Sequence, residues 1–204
     1  MITRRFWRLS LAAVAASLVG AACAAPPAAV RLPEAPYTTE DADFLRGMIM
    51  HHRQAVTMAA WAPTNGASED VKILASRIAV SQKDEIAFMK TWLTDHHEPV
   101  EMAMGDHRMT EHDMSGSTML MPGMLTAQQL QQLSSARGTD FDKAFLRFMI
   151  QHHRGALTMV DHLFATRGSG QEEAMFRFAT DVSSDQTTEI NRMASMLSNI
   201  NKDK

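Results

Sequence analysis

Apolar residues recur every three or four positions from about Thr39 to Trp61, from about Ser68 to His96, from Thr139 to Arg167, and from the turn Gly168-Ser169-Gly170 to Ile200. That spacing is the signature of helices with one buried face, and no segment alternates with the period of two that a half-buried strand requires. Thr39 is a suitable cap for the first helix, and Pro63-Thr64-Asn65-Gly66 closes it. Thr126 to Arg137 reads as a short additional helix, whereas residues 97–124 carry no period and divide the chain. The expected fold is all-α. Two helical hairpins, about 39–97 and 126–200, pack as an antiparallel four-helix bundle, joined by a long crossover at 98–125.

The halves are written in the same pattern. FLRGMIMHHRQAVTM begins at Phe44 and FLRFMIQHHRGALTM at Phe145, 101 residues later, with eleven identical positions. The second helices agree in register rather than in letters. Val71, Ala75, Ile78, Gln82, Glu85, Met89, Trp92 and His96 step by fours and threes, and Met175, Ala179, Val182, Gln186, Glu189, Met193, Met196 and Ile200 repeat the steps. Each series is a seam suited to another helix. An internal duplication, with the two hairpins sharing one core, explains both correspondences.

At about 100° per residue, His51 and His52 both fall within the apolar face, flanking Met48, while Arg46 and Arg53 point away. His152, His153 and Met149 repeat that geometry. Buried imidazoles need partners, and Gln82, Glu85, Gln186 and Glu189 interrupt the facing seams, so these four are expected to meet the four histidines. Such a cluster has two uses. It can be a hydrogen-bonded polar layer that fixes helix register, or a metal site with imidazole and Met48 or Met149 thioether ligands, supported by Glu and Gln. Spacing alone leaves both open. The Glu-x-x-His pairs that di-iron bundles require are absent from the sequence.

The crossover brings different chemistry. EMAMGDHRMTEHDMSGSTMLMPGM holds seven methionines (Met102, Met104, Met109, Met114, Met119, Met121 and Met124) and two histidines (His107 and His112), with only Ala103 and Leu120 as apolar company. Core methionine travels with other core residues, so packing does not account for this composition. Thioether sulfur is soft and uncharged and selects Cu(I) or Ag(I) over Zn(II), Mg(II) or Ca(II). The competing readings are an adaptable partner-docking surface and an oxidant-absorbing tract. His97, beside His96 at the end of the second helix, is expected to turn towards this loop, where the pair either supplies imidazole suited to Cu(II) or compensates the helix dipole. His162 lies on the outer part of its helix and is expected to be exposed.

Composition adds the compartment. Arg4, Arg5 and Arg8 precede an apolar, Ala-rich run and then small residues, which marks residues 1–24 as an export signal, followed by a Pro-rich linker at 25–38. The run is too short for a convincing membrane span. The general secretory route fits better than the twin-arginine one, whose motif TRRFWR only loosely matches. Cys23, the one cysteine, occupies a lipoprotein-like position, although Gly20 stands where such sites usually carry leucine. Lipidation there is the only expected membrane contact, and no disulfide framework is available. A formal charge of -3, with no basic run outside the N-terminus, argues against nucleic acid.

The motifs MIMHHRQAVTMA and MIQHHRGALTMV, with Gln82-x-x-Glu85-Ile86 and Gln186-x-x-Glu189-Ile190 downstream, resemble the domain of unknown function 305 family over roughly residues 39–200, and especially its exported copper-binding members of the CopM type. That resemblance implies a ferritin-like bundle and a role in periplasmic or extracellular copper tolerance. The family motif maps onto Met48, His51, His52, Met149, His152 and His153. The combined expectation is an exported, non-enzymatic, copper-binding bundle that prefers Cu(I), with a periplasmic copper-handling protein as candidate partner. A structural interaction module and a copper-dependent oxidoreductase are its rivals.

Overall fold

A computed structural model describes residues 36–101 and 120–202. Among the described residues there are five helices and no strand: α1 (Thr39–Ala60), α2 (Glu69–Asp95), α3 (Ala127–Ser135), α4 (Gly138–Ala165) and α5 (Glu173–Lys202). No described helix is long and apolar enough to cross a membrane. The export segment with Cys23, most of the linker, and Met102, Met104, His107, Met109, His112, Met114 and Met119 lie outside the described residues.

α1 pairs with α2, α4 pairs with α5, and α1 packs on α4, with the short α3 laid mainly against α4. α2 meets α5 where Phe88 stacks on Phe178, with centroids 4.8 Å apart. This all-helical arrangement is consistent with the expected four-helix bundle. The first cap is Thr38 rather than Thr39. Its hydroxyl accepts from Asp41 N–H while the Asp41 carboxylate accepts from Thr38 N–H, a reciprocal capping box that satisfies two otherwise orphaned donors.

Asp41 also reaches across the fold, its second oxygen accepting Gly170 N–H at 2.6 Å, just before α5. Its repeat counterpart Asp142, near the start of α4, accepts Ser68 N–H at 3.2 Å with both oxygens, just before α2. Ser68 makes no side-chain cap of its own. Each buried carboxylate therefore fixes the interhelical turn of the other hairpin, and the two hairpins are stitched together at both ends.

The core comes in two apolar halves. One gathers Ala55, Met58, Leu74, Ile78, Phe141, Phe145 and Met193; the other gathers Leu45, Met48, Met89, Trp92, Val160, Met175 and Val182. Every long helix crosses from one half to the other over the segment that carries its polar pair: His51-His52, Gln82 and Glu85, His152-His153, or Gln186 and Glu189.

α2 ends in a tight reversal at His97, whose φ of 59° is left-handed. Glu98 N–H reaches Leu93 C=O at 2.8 Å and His97 N–H reaches Thr94 C=O at 3.0 Å, the paired bonds of a Schellman cap. His97 thus occupies a position that favours glycine, and it is exposed.

Two outcomes follow from these contacts. Asp142→Ala strands the Ser68 N–H and should cost about 2–3 kcal/mol in urea denaturation; no measurable loss would show that the cross-hairpin bond contributes nothing. His97→Gly relieves the left-handed strain and should raise stability by about 1 kcal/mol in the same assay, and a fall would contradict the cap assignment.

Candidate metal centre

Four imidazoles occupy the middle of the bundle, each 0% exposed: His51 and His52 of α1, His152 and His153 of α4. Their place follows from helical spacing, since adjacent positions both lie within a wide apolar face when that face packs against more than one neighbour. His51 and His152 lie ring to ring, with centroids 3.8 Å apart. His52 and His153 lie outside them at 6.4 Å and 6.2 Å. The result is a row of four rings running across the α1–α4 interface.

Every ring is held through Nε2, and every partner is an oxygen. His52 faces the Glu85 carboxylate, and His153 faces Glu189 at 2.6 Å. His51 meets the Pro122 carbonyl at 3.0 Å, and His152 meets the His51 carbonyl at 3.0 Å. Carbonyl and carboxylate oxygens accept, so each Nε2 carries the proton and donates it. In a neutral ring the other nitrogen is then a lone pair. All four Nδ1 atoms are buried without a hydrogen-bond partner among the described residues, as are the side-chain oxygens of Gln82 and Gln186.

This is the orientation that metal-binding histidines take: one nitrogen donates to an oxygen that fixes the ring, and the other is free for the ion. Burial, reinforced by the neighbouring His52 and His153, pushes the pKa of His51 down to about 3 against the opposing pull of the Pro122 carbonyl. Burial together with His51, His153 and His52 holds His152 well below its ordinary range. Both inner rings are therefore neutral at pH 7, with their lone pairs available. Among the described residues, no three His, Cys, Asp or Glu side chains already converge as a ligand set. The donors come as imidazoles in a row, flanked one turn away by the fully buried Met48 and Met149. A softer, low-coordinate ion suits such a set better than one demanding four hard ligands.

The expected facing of the four seam residues is half realised. Glu85 and Glu189 bond the outer rings directly. Gln82 and Gln186 are buried in the same layer, but the inner rings take backbone carbonyls instead. The Pro122 carbonyl was not legible as a site group in the sequence. Repeat symmetry would pair His51 with the carbonyl of His152, yet the end of the crossover intervenes. It fits because Gly155 replaces the Gln54 of the first half: a Cβ at Gly155 would stand 1.9 Å from Pro122 O. Gln54 itself holds Leu125 through both N–H (2.7 Å) and C=O (3.1 Å), and Gln151 donates to Gly123 C=O at 3.3 Å. The expectation that packing has no part in the crossover therefore fails at its C-terminal end, where Met121 and Met124 are partly buried. The Gly155 and Gln54 mismatch within the repeat is a sequence signal that could have marked this approach.

His96 and His97 do not join the row. His96 stacks on Trp92 at 3.8 Å and donates from Nδ1 to Trp92 C=O at 2.7 Å, and His97 serves the helix cap. His162 is exposed as expected, though its ring faces Glu40 at 3.5 Å.

The lowered histidines predict an acid-sensitive fold. Unfolded rings titrate near 6.5, so between about pH 6.5 and 3 the unfolded chain holds protons that the native state refuses. Stability is full above about pH 6.5 and falls as the pH drops, by up to about 1.4 kcal/mol per pH unit for each of the two inner rings. Urea midpoints at pH 7.5, 6.5 and 5.5 should decline in that order; a flat or rising series would contradict the neutral, buried state.

Comparison with known proteins places this geometry. The profile of the family described as "Domain of unknown function (DUF305)" matches residues 41–197. A DUF305 protein from Streptomyces coelicolor, named as a candidate secreted protein, is 30% identical with a TM-score of 0.67 over 79% of this chain and 94% of its own. CopM in its Cu(II)-bound form is 30% identical, with a TM-score of 0.61 over 78% of this chain and 96% of that one. CopM in its Cu(I)-bound form is 28% identical, with a TM-score of 0.58 over 80% and 98%. Among curated proteins, "Uncharacterized protein L153" of Acanthamoeba polyphaga mimivirus is 38% identical over 56 residues, which are 28% of this chain and only 37% of that protein's length. With its profile spanning most of the sequence, the chain belongs to the DUF305 family.

Proposed function

We propose that the protein is an exported copper-binding protein that prefers Cu(I), also accepts Ag(I), and sequesters or hands on the ion in metal resistance. The observation that carries this reading is the row of four sealed imidazoles, each anchored through Nε2 and each with an Nδ1 that has no partner among the described residues. A buried acceptor that no described residue satisfies costs about 1–3 kcal/mol until it gains a partner, and a bound ion would supply one to the neutral inner rings. Solved CopM structures in Cu(II)-, Cu(I)- and Ag-bound forms support the same chemistry on this fold. The Met/His crossover supports the preference for a soft ion, and the N-terminal sequence, with the Streptomyces coelicolor relative, supports export.

Copper on this reading is cargo, and the protein catalyses no reaction. The two hairpins descend from one duplicated ferritin-like half, which accounts for the matched roles of Asp41 and Asp142, His52 and His153, and Glu85 and Glu189. The recipient is a periplasmic copper-handling protein.

Anaerobic titration with Cu(I) against a competing chelator tests the assignment. The expected result is tight binding. Replacing Met102, Met104, Met109, Met114, Met119, Met121 and Met124 with Leu should lower the stoichiometry, and His51→Gln with His152→Gln should remove a further site. Absence of Cu(I) and Ag(I) binding by the reduced protein at micromolar concentration would overturn the reading and leave the histidines as scaffolding.

A further inference from the structure

A cleft of about 460 Å³ opens between α1 and α4 where the crossover rejoins the bundle. Its lining brings together Met121 and Met159, His162, and the carboxylates of Glu40 and Asp43. The two thioether side chains converge on one spot above Gly47: a Cβ there would lie 3.3 Å from Met121 Sδ and 3.4 Å from Met159 Cε. Met159 and His162 are one turn apart, so both donors share a face of α4. The His162 ring, 73% exposed, is steadied by Glu40 with Nε2 and Oε1 3.5 Å apart.

The other half of the repeat shows that packing does not require this combination. The position matching His162 holds Trp61, and the one matching Gly47 holds Phe148, both large apolar groups set against the core. On one side only, the chain exchanges apolar bulk for an opening, an imidazole and a crossover sulfur. The carboxylates at the rim raise the local concentration of cations, while the neutral S and N donors select a soft one. The position adds a reason. Pro122 lines the cleft, and its carbonyl accepts the His51 N–H, so one residue separates this open site from the sealed row.

We propose that this cleft is a second, solvent-facing site for Cu(I) or Ag(I), held by the thioethers of Met121 and Met159 and the imidazole of His162, with Glu40 and Asp43 as its acidic rim. It rests on the copper reading above and names a site distinct from the histidine row.

Protein carrying ¹³C-methyl methionine, titrated with Ag(I), tests it. The Met159 and Met121 ε-methyl resonances should move together and saturate. His162→Gln, at an exposed position, should weaken that transition by about tenfold or more while leaving the remaining methyl spectrum of the folded protein in place. Met159→Leu should abolish the Met121 shift at the same silver concentration. If other methionine methyls move while Met159 stays still, the cleft is not a site and the copper reading survives. If no methyl moves at all, the cleft is not a site and the copper reading is left to stand or fall on the histidine row alone. If Met159 moves and His162→Gln changes nothing, the imidazole is not a ligand and the site as stated is wrong.

Discussion

An oxygen acceptor stands against every Nε2–H in the central row, and the rest of the architecture follows from keeping those four bonds in place. Rings donating from Nε2 cannot also donate from Nδ1 while neutral, and burial keeps the two inner rings neutral. The bundle therefore encloses a line of lone pairs that its own described residues do not satisfy. That condition is unfavourable for a protein whose only task is to fold. It is favourable for one that must offer an ion a dehydrated, oriented set of donors, because fixing the ligands beforehand removes the ordering cost from binding.

The surrounding fold supplies the rigidity this demands. The two apolar halves of the core clamp the row from either end along the helices, and Asp41 and Asp142 prevent the hairpins from sliding past each other. The departures from symmetry gather around one segment. Gly155 admits Pro122 to the inner ring, Gln54 and Gln151 grip the neighbouring backbone, and Gly47 leaves room for Met121. The sequence repeat breaks where the methionine-bearing crossover returns to the centre.

Helix placement was legible because the apolar period is strong, and the inward direction of His51, His52, His152 and His153 follows from position on a helix alone. The outer ring partners Glu85 and Glu189 were legible for the same reason, as polar interruptions of an apolar seam. Pro122 and Gly123 were not, since a carbonyl donated by an aperiodic segment carries no side-chain signature, and only the Gln54 and Gly155 mismatch marks where the backbone comes close. His97 has a backbone role that residue type does not reveal: it reverses the chain at the end of α2, while most of the crossover it was expected to join lies outside the described residues. Asp41 and Asp142 were not singled out in the sequence, because residue type alone does not reveal that each serves the opposite hairpin.

The tautomer of the buried rings is the property on which the whole account turns, and long-range ¹H–¹⁵N NMR of histidine side chains reads it directly. At pH 7 without metal, the inner rings of His51 and His152 should show a protonated Nε2 and an unprotonated Nδ1, and those Nδ1 resonances should shift when Ag(I) is added. A proton on Nδ1 of the inner rings, or Nδ1 resonances indifferent to silver, would contradict a metal-binding row and return these residues to the role of a polar layer.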